Sequence, residues 1–401
     1  MVGEMHEHRA LVPNADRSAL LVVDDRLPVV WTEERELGQT LAALERCHGV
    51  RAPFLRVVRR AVDERERLTT LLELDAASAA GDWLPLEAVD PQAVTPVFAA
   101  GVDEWLAEQR GAAVPSERPP WARPGWLART SAWVAEQAGV AGEPELVRQW
   151  PLSAIYRYPT RDAPLYLKAV FPLFRHEPAV TAALAASYPG LVPSVVAIDA
   201  GQGLLLLREF GRELGDRASP HWAEGVQLTS RIQREWVGRV AELVSMGAPT
   251  RRLDSLRDEV ASDDVLASAW RRMEALRLPD TIVHGDLHPW NATVEPHGVR
   301  IVDWSDAAVG PPFLDLAVVL FQVVDDETRT RLVDAYLEPW RDLMAEPALR
   351  EAAALGEVLG SVYQAQSYRA INGAFEPSAR WLFADEEDRW RERARELATK
   401  L

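Results

Sequence analysis

The chain is 401 residues long and has only one cysteine, Cys47. No disulfide can form within it, and nothing in its composition points to an oxidising compartment. Long apolar runs are also missing. Asp24 and Asp25 interrupt the one short apolar stretch near the start, and nowhere do about 18 apolar residues follow one another. Neither a secretory leader nor a membrane span is expected, and the reading is a cytoplasmic protein with no membrane partner. Positive charge is scarce: 44 Lys and Arg stand against 61 Asp and Glu, for a net charge of −17. Such a surface repels a phosphate polyanion, so nucleic acid is not expected as a partner. Scarcest of all is lysine. Only Lys168 and Lys400 occur, and Lys400 is the penultimate residue. A chain that uses arginine almost everywhere keeps one internal lysine. A compact ammonium in a confined site is a task that a planar guanidinium does not fill.

Hydrophobic residues make up 48% of the chain and charged residues 26%, enough for more than one packed core. Four prolines in PSERPPWARP, residues 115–124, mark 113–126 as a linker. Before it, residues 1–112 read as an accessory α/β domain. Ala19–Val23, Leu55–Val58 and Leu71–Leu74 are strand-like, Thr32–His48 has helical spacing through Leu37, Leu41 and Leu44, and Gly101–Gln109 is a closing helix. Cys47 reads as a buried filler within the first of these helices. Beyond the linker comes a helix, Trp126–Gly139, then strands at Leu146–Trp150, Ala154–Tyr158, Leu165–Val170, Ser194–Ile198 and Leu204–Leu207, with a short helix Pro178–Ala186 among them. After 211 helices dominate, beginning with a long one over His221–Met246. Strands come first and helices follow, so the class is α+β, with a β-rich lobe at 127–210 and a helical lobe at 211–401.

The densest chemistry lies in IVHGDLHPWNATVEPHGVRIVD, residues 282–303. Asp286 and Asn291 share one loop. Asp303 ends the second strand of a hairpin that turns at His297-Gly298, and a hairpin brings its ends together. One carboxylate and one amide oxygen, with room for phosphate oxygens, suit Mg²⁺, which prefers oxygen ligands and keeps several waters. Asp286 is placed upstream, where it can accept a proton from an attacking hydroxyl. This is the layout of a phosphoryl-transfer loop.

HGDLHPWN followed by IVDW resembles the aminoglycoside phosphotransferase family, relatives of protein kinases, in both spacing and order. GPPFLDLA at 310–317 is similar to the family segment that follows. The resemblance covers roughly residues 126–401 and is firmest from 280 on. It implies a bilobal protein-kinase-like fold preceded by a separate small α/β domain. It also implies an ATP- and Mg²⁺-dependent transfer to a hydroxyl of a small molecule such as an aminoglycoside, sugar or amino sugar. Asp286 then corresponds to the catalytic base, and Asn291 and Asp303 to the Mg²⁺ ligands. His284 and Asp315 would be structural supports. Lys168, in LYLKAV, would hold ATP phosphates and pair with Glu177. Trp290 stands where the family usually has a small residue. No G-x-G-x-x-G precedes Lys168, so the turn serine Ser153 is the candidate for a phosphate contact. LLLLREFG, 204–211, is similar to the last strand and hinge of such folds, where adenine would bond the backbone at Glu209 and Phe210. Acceptor candidates are His288, Gln366, Tyr368, Arg369, Asn372 and Glu376. With the acidic run 385–388 they suggest an amine-bearing acceptor. The alternative is a catalytically silent nucleotide-binding protein. Its mark would be a damaged Lys, Asp or Asn, and none is damaged here.

The first domain more faintly resembles a degenerate Nudix hydrolase. The Nudix box can be laid on Pro28 to Val50, where Glu34, Leu44, Gly49 and Val50 fit. The metal-binding carboxylates, however, fall on Ala43, Arg46 and Cys47. Hydrolysis is not expected. The domain would serve as a cap, a substrate clamp or the surface of a homodimer.

Overall fold

The computed structural model describes residues 5–401 except 65, 78, 80, 140, 141 and 297. The expected turn His297-Gly298 therefore lies partly outside the described residues. By its contacts the chain divides into two compact units. Met1–Tyr158 with Ala374–Leu382 form one, and Pro159–Gly373 with Phe383–Leu401 form the other.

The first unit contains β1 (His6–Leu11), β2 (Ala19–Val22), β3 (Val29–Thr32), α1 (Leu37–His48), β4 (Phe54–Val62), β5 (Leu68–Leu74) and β6 (Asp82–Pro85). After these come α2 (Pro91–Val94), α3 (Ala99–Gln109), α4 (Trp126–Ala138), β7 (Glu145–Trp150) and β8 (Ser153–Tyr158). Four strands pair in the order β3-β1-β5-β4, with β1 and β5 parallel and the outer pairings antiparallel. Side chains alternate across a sheet, and the core follows that period. Leu11 and Leu71 join Phe98, Val102 and Trp105 in one cluster, while Ala10 and Leu72 join Ala43 and Leu44 in a second. The sheet is thus sandwiched between α3 and α1. The helix expected from Thr32 starts only at Leu37, because Val29–Thr32, rich in β-branched and aromatic residues, pairs with β1 instead. Cys47 is not buried as expected. It lies exposed near the end of α1, whose core face is carried by Thr40, Ala43 and Leu44. Under the sheet, buried Glu73 accepts from Arg17, Arg56 and the Trp105 indole. Arg118 pairs with Glu108 and Glu376.

The second unit opens with β9 (Leu165–Val170), α5 (Glu177–Ser187), β10 (Val195–Asp199) and β11 (Leu204–Arg208), in which β11 pairs antiparallel with both β9 and β10. There follow β12 (Arg212–Glu213), α6 (Pro220–Trp236), α7 (Val240–Ser245), α8 (Leu253–Val260), α9 (Asp264–Ala275), β13 (Thr281–Val283), β14 (Ala292–Glu295), β15 (Gly298–Ile301) and β16 (Ala308–Gly310). The unit ends with α10 (Leu316–Val319), α11 (Asp326–Leu337), α12 (Glu346–Ala374) and α13 (Glu386–Ala398). The fold is mixed α+β, strands before helices. The long helix expected at His221–Met246 breaks after Trp236, where Gly238 takes φ +84°, and resumes as α7. Among the described residues, no helix is long and apolar enough to cross a membrane.

Two short antiparallel pairs, β14 with β15 and β13 with β16, carry the loop at 284–291 and the turn at 303–306. Asp315, only 1% exposed, locks that loop: its carboxylate accepts from the N–H of His284 (3.0 Å), the N–H of Gly285 (2.7 Å) and the Gln233 amide (2.8 Å). Burial pushes its pKa up to about 6 against the pull of these donors. Gln233 in turn accepts from the Tyr336 hydroxyl at 2.5 Å. Gly285, at φ +84°, leaves no room for a side chain, since a Cβ there would collide with the Asp306 backbone.

Two outcomes follow from this packing. Asp315→Ala strands three buried donors and should cost about 3–5 kcal/mol in urea denaturation. A loss under about 1 kcal/mol would show that the loop is held by something else. In the first unit, His8 is buried between the hydroxyls of Thr70 (2.8 Å) and Thr32 (3.0 Å), and burial lowers its pKa from 6.5 to about 4. The unfolded chain therefore takes the proton first, and stability is lost as pH falls from about 6.5 toward 4. Between pH 7.5 and 5 the wild type should lose roughly 1 kcal/mol more than His8→Gln, allowing for partial solvent access of the ring. Equal losses would refute the assignment.

Candidate active site

Lys168 lies on β9, 8% exposed. Its Nζ donates to Glu177 Oε1 and to Asp303 Oδ1, both at 2.7 Å. Glu177 is the first residue of α5 and is followed by Pro178, whose fixed φ suits a first helical turn. Two neighbouring segments and a residue 135 positions beyond Lys168 are thus drawn to one point. Burial disfavours the Lys168 ammonium, but Asp303 and Glu177 outweigh it and hold its pKa above the usual lysine range. Burial likewise works to raise the Asp303 pKa, and Lys168 overcomes it, so Asp303 stays ionised well below the usual carboxylate range. Glu177 is pushed up to about 7 by burial, with Lys168 opposing. Its second oxygen, Oε2, is buried without a partner. Asp303 takes φ +61°, a left-handed conformation that aspartate tolerates better than most residues. The Ser305 hydroxyl donates to Asp303 Oδ1 at 2.7 Å.

Across the same loop, the Asn291 amide donates to the Asp286 carbonyl (2.9 Å) and to Asp286 Oδ2 (3.3 Å). His288 Nε2 is also 3.3 Å from Asp286 Oδ2. Burial acts to raise the Asp286 pKa, but His288 outweighs it and keeps the carboxylate ionised. His284 is fully buried. Its Nε2 bonds the Val302 carbonyl at 3.1 Å, its Nδ1 faces the Asp286 N–H at 3.4 Å, and its ring packs 4.6 Å from Trp304. Burial lowers its pKa to about 4, so it is a neutral brace for the loop.

The donor set fits Mg²⁺. With its N–H groups spent on Asp286, Asn291 has its amide oxygen left as a ligand. Asp303 keeps Oδ2 outside its bonds to Lys168 and Ser305. Both are hard oxygen donors. Among the described residues no group of three or more His, Cys, Asp or Glu could hold a metal, so phosphate oxygens and water would complete the shell.

The remaining candidates are scattered. Phe210 stacks 5.7 Å from Tyr166, and its carbonyl accepts from Thr293 at 2.6 Å, while Glu209 is exposed just past β11. Tyr368 packs 5.1 Å from Phe383, and its hydroxyl pKa is raised by burial and then by Asp286 and Asp306. Gln366 bonds Arg251 and the Ser255 carbonyl, and Asn372 donates to the Phe383 carbonyl at 2.6 Å. Arg369 bridges Glu259 and Glu387. Glu376 belongs to the first unit, in its ion pair with Arg118. Ser153 also lies there, in the turn between β7 and β8, where its hydroxyl accepts from the Trp150 indole at 2.8 Å.

Sequence reasoning missed Asp306, three residues after Asp303 in VDWSDA. Burial raises its pKa well above the usual range, and Asp286 and Asp303 raise it further. The signal was present as a second aspartate in the motif.

Residues 157–355 match the model of a phosphotransferase enzyme family, APH. No curated protein matches the chain. Among solved structures, the chain is similar to a choline/ethanolamine kinase family protein from Mesorhizobium loti (16% identity, 67% of this chain and 94% of that one, TM-score 0.48). It is also similar to the choline kinase LicA from Streptococcus pneumoniae (15%, 68% and 100%, TM-score 0.48) and to the macrolide 2'-phosphotransferase MphH from Brachybacterium faecium (16%, 69% and 98%, TM-score 0.45). The family match begins at 157, so the likeness of the first unit to Nudix hydrolases gains no support. Through residues 157–355, the chain belongs to the APH phosphotransferase enzyme family.

Proposed function

We propose that this small-molecule phosphotransferase uses ATP with Mg²⁺ and transfers the γ-phosphoryl group to a hydroxyl of its acceptor. The observation that carries the reading is the convergence of Lys168, Glu177 and Asp303 beside the Asp286–Asn291 pair. Lys168 would hold ATP phosphates, with Glu177 fixing the ammonium. The backbone at Glu209 and Phe210 would receive the base. Asn291 and Asp303 would hold Mg²⁺, which when bound neutralises charge on the phosphates. Asp286, kept ionised by His288, would orient the acceptor hydroxyl and take its proton. The transition state of such a transfer is loose, so most of the catalysis is positioning and charge neutralisation.

The acceptor is a small hydroxylated molecule. Tyr368 and His288 are the acceptor candidates that stand near Asp286. Gln366, Arg369, Asn372 and Glu376 are held by bonds of their own. The acidic run that suggested an amine is not bare: Glu386 pairs with Arg389, and Glu387 with Arg369 and Arg391. That removes one reason for an amine-bearing acceptor.

Incubation with Mg·ATP and a panel of aminoglycosides, sugars, amino sugars and sugar acids, read by mass spectrometry, should yield a phosphorylated product. Nucleotide binding with no product on any acceptor would favour the catalytically silent reading. On a phosphorylated acceptor, Asp286→Asn should lower kcat at least about 10²-fold with ATP affinity little changed. An equal loss in both would remove Asp286 as the base. Asp303→Ala should abolish turnover in a chain that still melts cooperatively, and retention of most activity would remove it as the Mg²⁺ ligand.

A further inference from the structure

Four arginines in the described residues bury an Nε–H without a partner: Arg217, Arg251, Arg331 and Arg393. Arg393 pairs with Glu357, and Arg251 donates to Gln366. Arg331 donates to the Ala218 carbonyl at the surface. Arg217 alone among them stands beside the catalytic loop. Its Nη1 donates to the carbonyls of Val318 and Val319, both at 3.2 Å, at the end of α10. It makes no ion pair with a carboxylate among the described residues. Its guanidinium carbon lies 5.8 Å from the Trp290 ring, and Trp290 lies next to Asn291 in the loop.

A guanidinium held by one nitrogen keeps the other edge, Nε–H and Nη2–H, for an acceptor group, and that edge matches a carboxylate or phosphate. A buried N–H left without an acceptor is costly, so the arrangement is incomplete as it stands. The donor end of the site is already furnished with a cation, since Lys168 sits against Asp303. Arg217 instead acts on the Asp286 side. Its guanidinium lies over the Trp290 ring, which is edge-on to His288, the neighbour of the Asp286 carboxylate. That is where the acceptor hydroxyl must lie if Asp286 is the base. Trp290, 48% exposed and edge-on to His288 at 5.7 Å, gives the same side an apolar wall.

We propose that Arg217 is a specificity-determining residue that receives an anionic oxygen group of the acceptor, a carboxylate or a phosphate ester, beside the Trp290 ring. The inference rests on the phosphotransferase reading and narrows its acceptor class. A uronic or hydroxy acid, or a sugar phosphate, meets the chemistry, and a neutral sugar does not.

The test uses the full chain loaded with Mg²⁺ and a non-hydrolysable ATP analogue, so that the donor site is filled. Inorganic phosphate and gluconate are titrated in separately by calorimetry. At least one should bind the wild type. Arg217→Met should weaken that binding about tenfold or more, and Arg217→Lys should restore part of it. Nucleotide affinity should be the same in all three. Binding of phosphate alone assigns a phosphate ester, and binding of gluconate alone assigns a carboxylate. No binding of either probe to the wild type, or equal binding to the Met variant, overturns the proposal and leaves the phosphotransferase reading standing. Loss of nucleotide affinity in the Met variant also overturns it, because Arg217 would then be a structural support. A wild type that binds no nucleotide removes the phosphotransferase reading itself.

Discussion

The second unit is organised around one buried ammonium. Lys168 joins β9, the start of α5 and the turn after β15 through two bonds of 2.7 Å. The turn after β15 is distant in sequence from the other two, since Lys168 and Asp303 are 135 residues apart. A charge placed in such a site is costly to bury unless it is paired, and pairing works only if the partners arrive in good geometry. The two carboxylates meet that condition, one on a helix start and one in a left-handed turn. Arginine could not replace the lysine here. Its guanidinium is longer and planar, and its donors are fixed in a fork, whereas the ammonium directs donors to two carboxylates on different elements. This explains why a chain of 44 basic residues keeps lysine at this position.

A second constraint holds the other half of the site. Asp315 bonds the backbone at His284 and Gly285 and the side chain of Gln233, and Gln233 is tied to Tyr336. The loop at 284–291 is thereby fixed from beneath by groups that never face the solvent. α12 adds shape to this support. Gly356 and Gly360 press against Phe313 and Leu314, leaving no space for a Cβ, and so the segment carrying Asp315 lies directly on the helix. Function-bearing atoms on a loop thus inherit the rigidity of a packed core.

Much of this was legible in the sequence for a physical reason. Asp286, Asn291 and Asp303 lie within 18 residues, and a hairpin converts that spacing into proximity without help from the rest of the chain. Lys168 stood out because of what the chain lacks. Strand periods were readable where both faces are buried or alternate, as in β9 and β11. The readings that failed are those decided by distant partners. Val29–Thr32 became a strand because β1 was available to pair with it, and Cys47 is exposed because the core face of α1 is set by the sheet beneath. Separately, the acceptor candidates Gln366, Arg369 and Asn372 each bond a partner on another element or loop. Arg217 had no local signal, since its meaning comes from Val318, Val319 and Trp290, which are far away along the chain.

Charge balance links these observations. Asp303 raises the cost of ionising Asp286, and both raise the cost of ionising Asp306. Lys168 offsets Asp303 and His288 offsets Asp286, so the carboxylate left uncompensated is Asp306. Burial, and then Asp286 and Asp303, raise its pKa well above the usual carboxylate range. The arginine at 217 continues the same logic on the acceptor side, where a cation without a carboxylate partner makes the local field favourable to an anion despite the strongly acidic chain around it.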